Sequence, residues 1–371
     1  MNDFLILERS VSVGGTWRDN SYPGCACDVP SNLYSFSFEP YPEWSKLWSP
    51  AKEIKTYLEH CAEKYQITPH HVKFNTTVTG ATYDDTTHLW CVTDSNNNKY
   101  YARVLINGQG FLSDPQIPQI PGIDKFKGHS FHSATWDHSY DLTGKTVAVV
   151  GNGASAVQFV PHIQPIVKSL HLYQRTAAWV KPHPLGGNHD IPENVKQMFR
   201  QYPLIQRFAR MLSYWLAEGH YLIFSKWRFG NKLYTRECIR HIYQSTADPE
   251  LRRKLLPNFQ FGCKRMLLSS EFIPSICQPN VTVHNSGLQQ ITARGVIGSD
   301  GIEVPVDCII FGTGFAVQRH EAKNALNIVG KSNTKLIDVW KDKMQAYKGS
   351  VVQGFPNYFV MLGYVYCQMI M

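Results

Sequence analysis

Residues 147–156 have the types and spacing of a phosphate cradle. The apolar run Val147-Ala-Val-Val150 reads as a strand, and Gly151-Asn-Gly153-Ala154-Ser155-Ala156 follows it as G-x-G-x-x-A, opening what reads as a helix. The first glycine permits a tight turn, the second lets the backbone approach a pyrophosphate, and Ala156 is small enough for close helix–strand packing. The helix N-terminus adds free N–H groups and a positive dipole end. An NAD-preferring unit keeps an acid about 20 residues further on, for the ribose hydroxyls. Here the strand at residues 170–173 runs into Gln174-Arg175-Thr176 instead. A cation and a hydroxyl suit a 2′-phosphate, so the pattern predicts NADPH rather than NADH. The plain alternative is a glycine turn that binds nothing, with Arg175 as solvated charge.

A second candidate is Glu8, which ends the apolar run at residues 4–7. That run is expected to be a buried strand, and an acid at its end is where a dinucleotide fold holds a ribose. The strand and G-x-G-x-x-G turn that come first in such a unit do not precede it. This nucleotide domain is therefore expected to be incomplete at its N-terminus.

These residues need elements to position them. The chain has 371 residues, 43% hydrophobic and 18% charged, which suits a globular protein with two cores. Residues 51–65 read as an amphipathic helix. Residues 71–79, 82–83, 89–93 and 100–106 read as short strands, with turn signals at Asp84-Asp85 and Asn96-Asn-Asn98. Residues 115–121 form a proline-rich linker. Strands return at 281–284 and 307–311, the latter ending in Gly312-Thr-Gly314-Phe315. Strand–helix alternation plus an antiparallel patch predicts an α/β protein with two nucleotide-binding units.

Charge is uneven. Of the net +8, +7 lies between Ile191 and Gln260, where 12 Lys/Arg face 5 Asp/Glu among many aromatics. A nucleic acid or membrane surface is one explanation. The aromatics recur at helical spacing, however, and the sequence favours packed helices over about 191–255 with a basic solvent face; no nucleic-acid partner is expected. The longest apolar run, residues 358–371, is too short to span a bilayer. Nine cysteines without metal-ligand spacing, and no signal peptide, predict free thiols in the cytoplasm and no metal.

Several motifs then converge on one family. Phe126-Lys-Gly128-His-Ser-Phe-His132-Ser-Ala-Thr-Trp136-Asp137 matches F-x-G-x-x-x-H-x-x-x-W-[P/D], the fingerprint of Baeyer–Villiger monooxygenases. Gly14-Gly15-Thr16-Trp17, with Tyr22-Pro-Gly24 and Asp28, resembles that family's flavin-side loop. Phe311-Gly-Thr-Gly-Phe315 looks like its A-T-G-F segment, and Phe261-Gly-Cys-Lys264-Arg265 resembles the stretch that carries its active-site arginine. The resemblance covers nearly the whole chain in the expected order and is similar to the acetophenone-oxidising branch.

The resemblance implies an α/β protein with two Rossmann-like domains, one for FAD and one for NADPH. Residues 1–114 and 309–371 would form the FAD domain, 115–138 a linker, and 139–308 the NADPH domain with a helical insertion at about 191–260. It implies use of NADPH and FAD to insert one oxygen atom of O₂ into a ketone. Arg265 would be the central catalytic cation and Asp28 its carboxylate partner. Lys264 and Arg175, with Thr176, would grip the 2′-phosphate; Glu8, Gly15, Thr16, Trp17, Tyr34 and Val78 would lie on the flavin side. His132 is expected to order the linker. Rival readings are oxygenation of amines or sulfides on the same fold, and a non-catalytic NADP-binding fragment. Two departures, the absent first turn and the run Tyr364-Val-Tyr-Cys-Gln-Met-Ile-Met371, predict a chain truncated at both ends and inactive alone.

Overall fold

A computed structural model describes residues 3–225, 228–316, 326–342 and 344–361. Residues 364–371 lie outside that set. The chain divides into two compact units: residues 1–16, 58–116 and 315–371 form the first, and 17–57 with 117–314 form the second.

The first unit is built on a four-stranded sheet in the order Asn327–Val329, Val78–Tyr83, Trp90–Asp94, Lys99–Ala102. The first pair is parallel and the rest antiparallel. Asp94 ends its strand by accepting from the backbone N–H groups of Asn96 and Asn98, both at 2.9 Å. The core gathers on Trp90, fully buried, whose indole N–H donates to Pro356 O at 2.8 Å. The expected strand at 71–79 is corrected to two: Val72–Lys73 and Val78–Tyr83, separated at Asn75, whose φ of 53° no strand accommodates. The run at 4–7 is also corrected. Only Ile6–Leu7 is strand, it pairs on one side with Val72–Lys73, and Phe4, Leu5 and Ile6 remain exposed.

In the second unit, five strands form a parallel sheet in the order Val281–His284, Ser169–Tyr173, Thr146–Val150, Cys308–Phe311, His129–His132. Val147, Ala148, Leu170, Leu172, Ile309 and Ile310 are all fully buried. Such continuous apolar strands are what a parallel sheet covered on both faces requires. The order reverses between Thr146–Val150 and Cys308–Phe311, and the crevice beyond the carboxyl ends of such strands is where open α/β sheets bind ligands.

The insertion is helical, as expected: Glu193–Gln201, Pro203–Ser225, Arg228–Ser245 and Pro249–Leu255. Its packing is not as expected. Phe208, Tyr214 and Trp215 face solvent rather than a core, because the Pro203–Ser225 helix turns its polar residues inward. Tyr221, Phe224, Trp227 and Phe229 have side chains outside the described set. No helix of the described residues is long and apolar enough to cross a membrane.

Candidate active site

The cradle sits at the reversal of the sheet. Gly151 has φ 102°, and a Cβ there would stand 2.5 Å from Gly312 O. Its N–H donates to Tyr173 O at 2.8 Å, while the Gly312 N–H donates to Val150 O at 2.9 Å. Only glycine allows the two strand ends to pass so closely. Gly153 differs. Its φ of −77° suits any residue, yet nothing lies within 4 Å of where its Cβ would be. That room lies at the N-terminus of the helix Ala154–Ile163, where Ala154 is exposed and Ala156 fully buried. The site thus has the free N–H groups and the space that a pyrophosphate needs.

The two glycines therefore predict different outcomes. Gly153→Val should leave the melting temperature close to parental while reducing NADP⁺ affinity at least tenfold, as a filled cradle must. Gly151→Ala should destabilise the fold itself, by about 1–3 kcal/mol for strained backbone and overpacking. Thermal melts beside NADP⁺ titrations check the pair; a Gly153→Val chain with parental affinity would show that the space is not the nucleotide's.

One residue that the motif does not highlight ties the cradle to the next strand. The Asn152 side chain donates to Gln174 Oε1 at 2.8 Å and to Thr176 O at 3.0 Å. Gln174, buried, donates in turn to Asn285 Oδ1 at 2.8 Å and Lys254 O at 3.1 Å. Arg175 is left exposed beside the turn, its stem against Gly287. Lys264, also exposed, stands with its ammonium over the Phe259 ring at 4.7 Å. Neither cation has an ion pair among the described residues.

Asp28 and Arg265, 237 residues apart, are brought together: Arg265 Nη2 donates to Asp28 Oδ2. Their side chains are 34% and 47% exposed, so the pair contributes at most about 1 kcal/mol to stability and the guanidinium is open to a ligand. The loop that carries Asp28 is clamped to the cradle helix by Gln158. This side chain accepts from the Tyr22 hydroxyl at 2.9 Å and donates to Ala26 O at 2.8 Å. Gly24, at φ 76°, lies so close that a Cβ would meet the His162 ring at 2.3 Å. Around the arginine, burial pushes the Cys27 thiol and the Tyr34 phenol each up to about 12, so both stay protonated. Asp28 is then the anion that holds Arg265. Trp17 donates to the Tyr34 hydroxyl at 3.0 Å, with the rings edge to face.

The remaining flavin-side candidates belong to the first unit. Glu8 accepts from the Ser10 N–H at 2.9 Å, Gly15 has φ 48° with open space at its Cβ position, Thr16 begins a single helical turn, and Val78 begins its strand.

The fingerprint acts as a scaffold. Phe126 packs under the sheet, and Gly128 has no room for a side chain because of that ring and Asp307 O. Trp136 stands against Phe131 and against Phe159 of the cradle helix, at 5.1 and 5.2 Å. Asp137 accepts from Ser139 and pairs with His129 at 2.9 Å; those hydrogen bonds, Ser139 first, hold its carboxyl below the usual range. His132 is 1% exposed, and its Nδ1 accepts from the Ala134 N–H at 3.1 Å.

Burial lowers the His132 pKa to about 4 from 6.5, so the imidazole is neutral when folded. The unfolded chain takes up a proton first as pH falls, so this residue costs stability progressively from about pH 6.5 down to about pH 4, in all roughly 3 kcal/mol. His132→Asn keeps an acceptor and should show a shallower loss of unfolding free energy over that interval. Parallel curves for the two chains would contradict the assignment.

The profile of the flavin-binding monooxygenase-like family matches residues 4–342. A Baeyer–Villiger monooxygenase of Pseudomonas aeruginosa is 44% identical over 362 residues, which are 98% of this chain and 68% of the relative. A Baeyer–Villiger monooxygenase of Streptomyces coelicolor is 43% identical over 365 residues, 98% of this chain and 69% of the relative. Among solved structures, an open crystal structure of cyclohexanone monooxygenase superposes with a TM-score of 0.83 at 27% identity, covering 97% of this chain and 77% of that one. A complex of OTEMO with FAD and NADP gives 0.84 at 31% identity, covering 97% and 75%. With a reversed parallel sheet, a glycine cradle and the linker fingerprint in place, the chain belongs to the flavin-binding monooxygenase-like family, among its Baeyer–Villiger monooxygenases.

Proposed function

We propose that this chain is an NADPH- and FAD-dependent monooxygenase that inserts one oxygen atom of O₂ beside a ketone carbonyl, giving an ester or lactone. The observation that carries the reading is the Arg265–Asp28 pair, half open to solvent, in the same unit as the phosphate cradle. FAD, when bound, supplies the redox and oxygen chemistry. The chain's own residues do the rest. Gly151, Gly153 and the N–H groups from Ala154 to Ala156 hold the NADPH pyrophosphate; Arg175 and Lys264 bind its 2′-phosphate, with Thr176 adding a hydrogen bond. Glu8 takes a ribose of FAD, and Gly15, Thr16, Trp17, Tyr34 and Val78 line the flavin side. Arg265 offers a permanent cation to the negative charge that develops on oxygen, and Asp28 fixes where that cation points. Residues 1–114 and 309–371 serve FAD, 139–308 serve NADPH, and 115–138 link them. The eight described cysteines are all free, which fits a reducing cytoplasm.

The test supplies the purified chain with FAD, removes excess by gel filtration, and follows NADPH oxidation with acetophenone or with thioanisole. Retained flavin absorbance with acetophenone-stimulated oxidation would support the reading and overturn the expectation that the chain is inactive alone. Stimulation by the sulfide alone would move the assignment to heteroatom oxygenation, and NADP⁺ binding without flavin retention would reduce it to a nucleotide-binding fragment.

A further inference from the structure

The Pro203–Ser225 helix is inverted. Its inward face is polar: Gln206 donates to Tyr41 O at 2.7 Å, and Arg210 donates to Asn32 O at 2.7 Å and Ser35 Oγ at 2.9 Å. Its outward face carries Leu204, Phe208, Met211, Leu212, Trp215 and Leu216, all exposed, with Leu204 at 76% and Trp215 at 65%. Each side chain leaves on the order of 100 Å² in water, so the stripe presents roughly 600–800 Å² per copy. That exceeds the largest patch of a typical monomer, about 300–600 Å². It also approaches the area of about 800 Å² that each partner contributes to a standard protein interface.

The charges beside the stripe decide what fits it. Arg200 is occupied by Glu43 and Glu193, and Arg210 points inward, so neither adds a free cation beside the stripe. The exposed charges on the helix flank are Arg207 and Glu218. Eleven residues bring a helix round about three full turns, so both lie on the same edge of the stripe. Same-edge positions face each other when two helices pack antiparallel. An anionic lipid surface would meet Glu218 with repulsion, and a parallel pair would hold Arg207 and Glu218 on opposite edges of the contact, where they do not pair.

We infer that the outward face of this helix docks a second copy of the chain, antiparallel about a two-fold axis midway between Leu212 and Ser213. In that register Arg207 of each copy meets Glu218 of the other. The interface is isologous and closes at two copies.

Sedimentation velocity of the full chain over a concentration series tests this, with circular dichroism as the check on folding. A concentration-dependent dimer is expected. Phe208→Glu should raise its dissociation constant at least a hundredfold. Arg207→Glu and Glu218→Arg should each weaken it about tenfold at low salt, since each turns two attractive pairs into repulsive ones. The double swap should return it to within a few-fold of parental, which decides the register even if Phe208→Glu folds poorly. A monomer at every concentration, a dimer indifferent to these changes, or a double swap that restores nothing overturns the inference. So does cosedimentation with phosphatidylserine vesicles without self-association, which would assign the face to lipid.

Discussion

In the flavin-loaded enzyme, Arg265→Ala is expected to cut ester formation by on the order of 10²–10³ while NADPH still bleaches the bound flavin. Reduction depends on holding the nicotinamide close. Oxygen insertion additionally needs a cation where negative charge builds on oxygen, and a preorganised guanidinium there costs no solvent reorganisation. The Arg265–Asp28 pair is half exposed, so the substitution should cost no more than about 1 kcal/mol of stability, and lost activity will not be lost folding. Arg265→Lys should recover only part of the rate, because an ammonium lacks the planar fork that meets a carboxylate on one side and a ligand on the other. Asp28→Asn should lower ester yield less than Arg265→Ala, since the cation remains but is less firmly aimed. Stopped-flow bleaching beside chromatographic product analysis separates the two steps. Parental ester formation by Arg265→Ala would show that the wrong residue has been chosen.

The second large effect concerns the nucleotide. Arg175 is exposed at the mouth of the cradle without an ion pair among the described residues, so nothing in the described structure competes with a 2′-phosphate for it. One or two charge-assisted contacts contribute about 1–3 kcal/mol, which gives NADP⁺ a preference over NAD⁺ of roughly 5- to 150-fold. Arg175→Ala should remove most of that preference by weakening NADP⁺ and leaving NAD⁺ nearly unchanged. Calorimetric titration of both nucleotides against both chains measures it. Equal affinities for NADP⁺ and NAD⁺ in the parental chain would remove the assignment altogether.

The local features of the site were legible because each is written in consecutive residues. The cradle after Val150, the strand at Val281–His284 and the helices of the insertion follow from glycine spacing and apolar period, and the structure has them. What the period could not supply was direction. It marks the Pro203–Ser225 helix as two-faced, but the inward choice is made by carbonyls at Asn32, Leu33 and Tyr41, more than 160 residues earlier in the chain. The meeting of Asp28 with Arg265 has the same origin and was accessible only through the motifs that carry each residue. Asn152 and Gln158 were passed over, although a signal existed for both. Asn152 is the one polar side chain between the two glycines, and Gln158 is a polar residue set within the apolar run of its helix. The exposure of residues 4–6 was missed because apolar composition states a preference for burial, not the presence of a neighbour that provides it.

One atom of O₂ is expected to enter the ketone. The direct measurement supplies the flavin-loaded enzyme with NADPH, acetophenone and isotopically heavy O₂, and examines the product by mass spectrometry. An ester that carries one heavy oxygen is expected, formed in step with NADPH consumption. NADPH consumption that yields only peroxide and leaves the ketone intact, or an ester without the label, would contradict it.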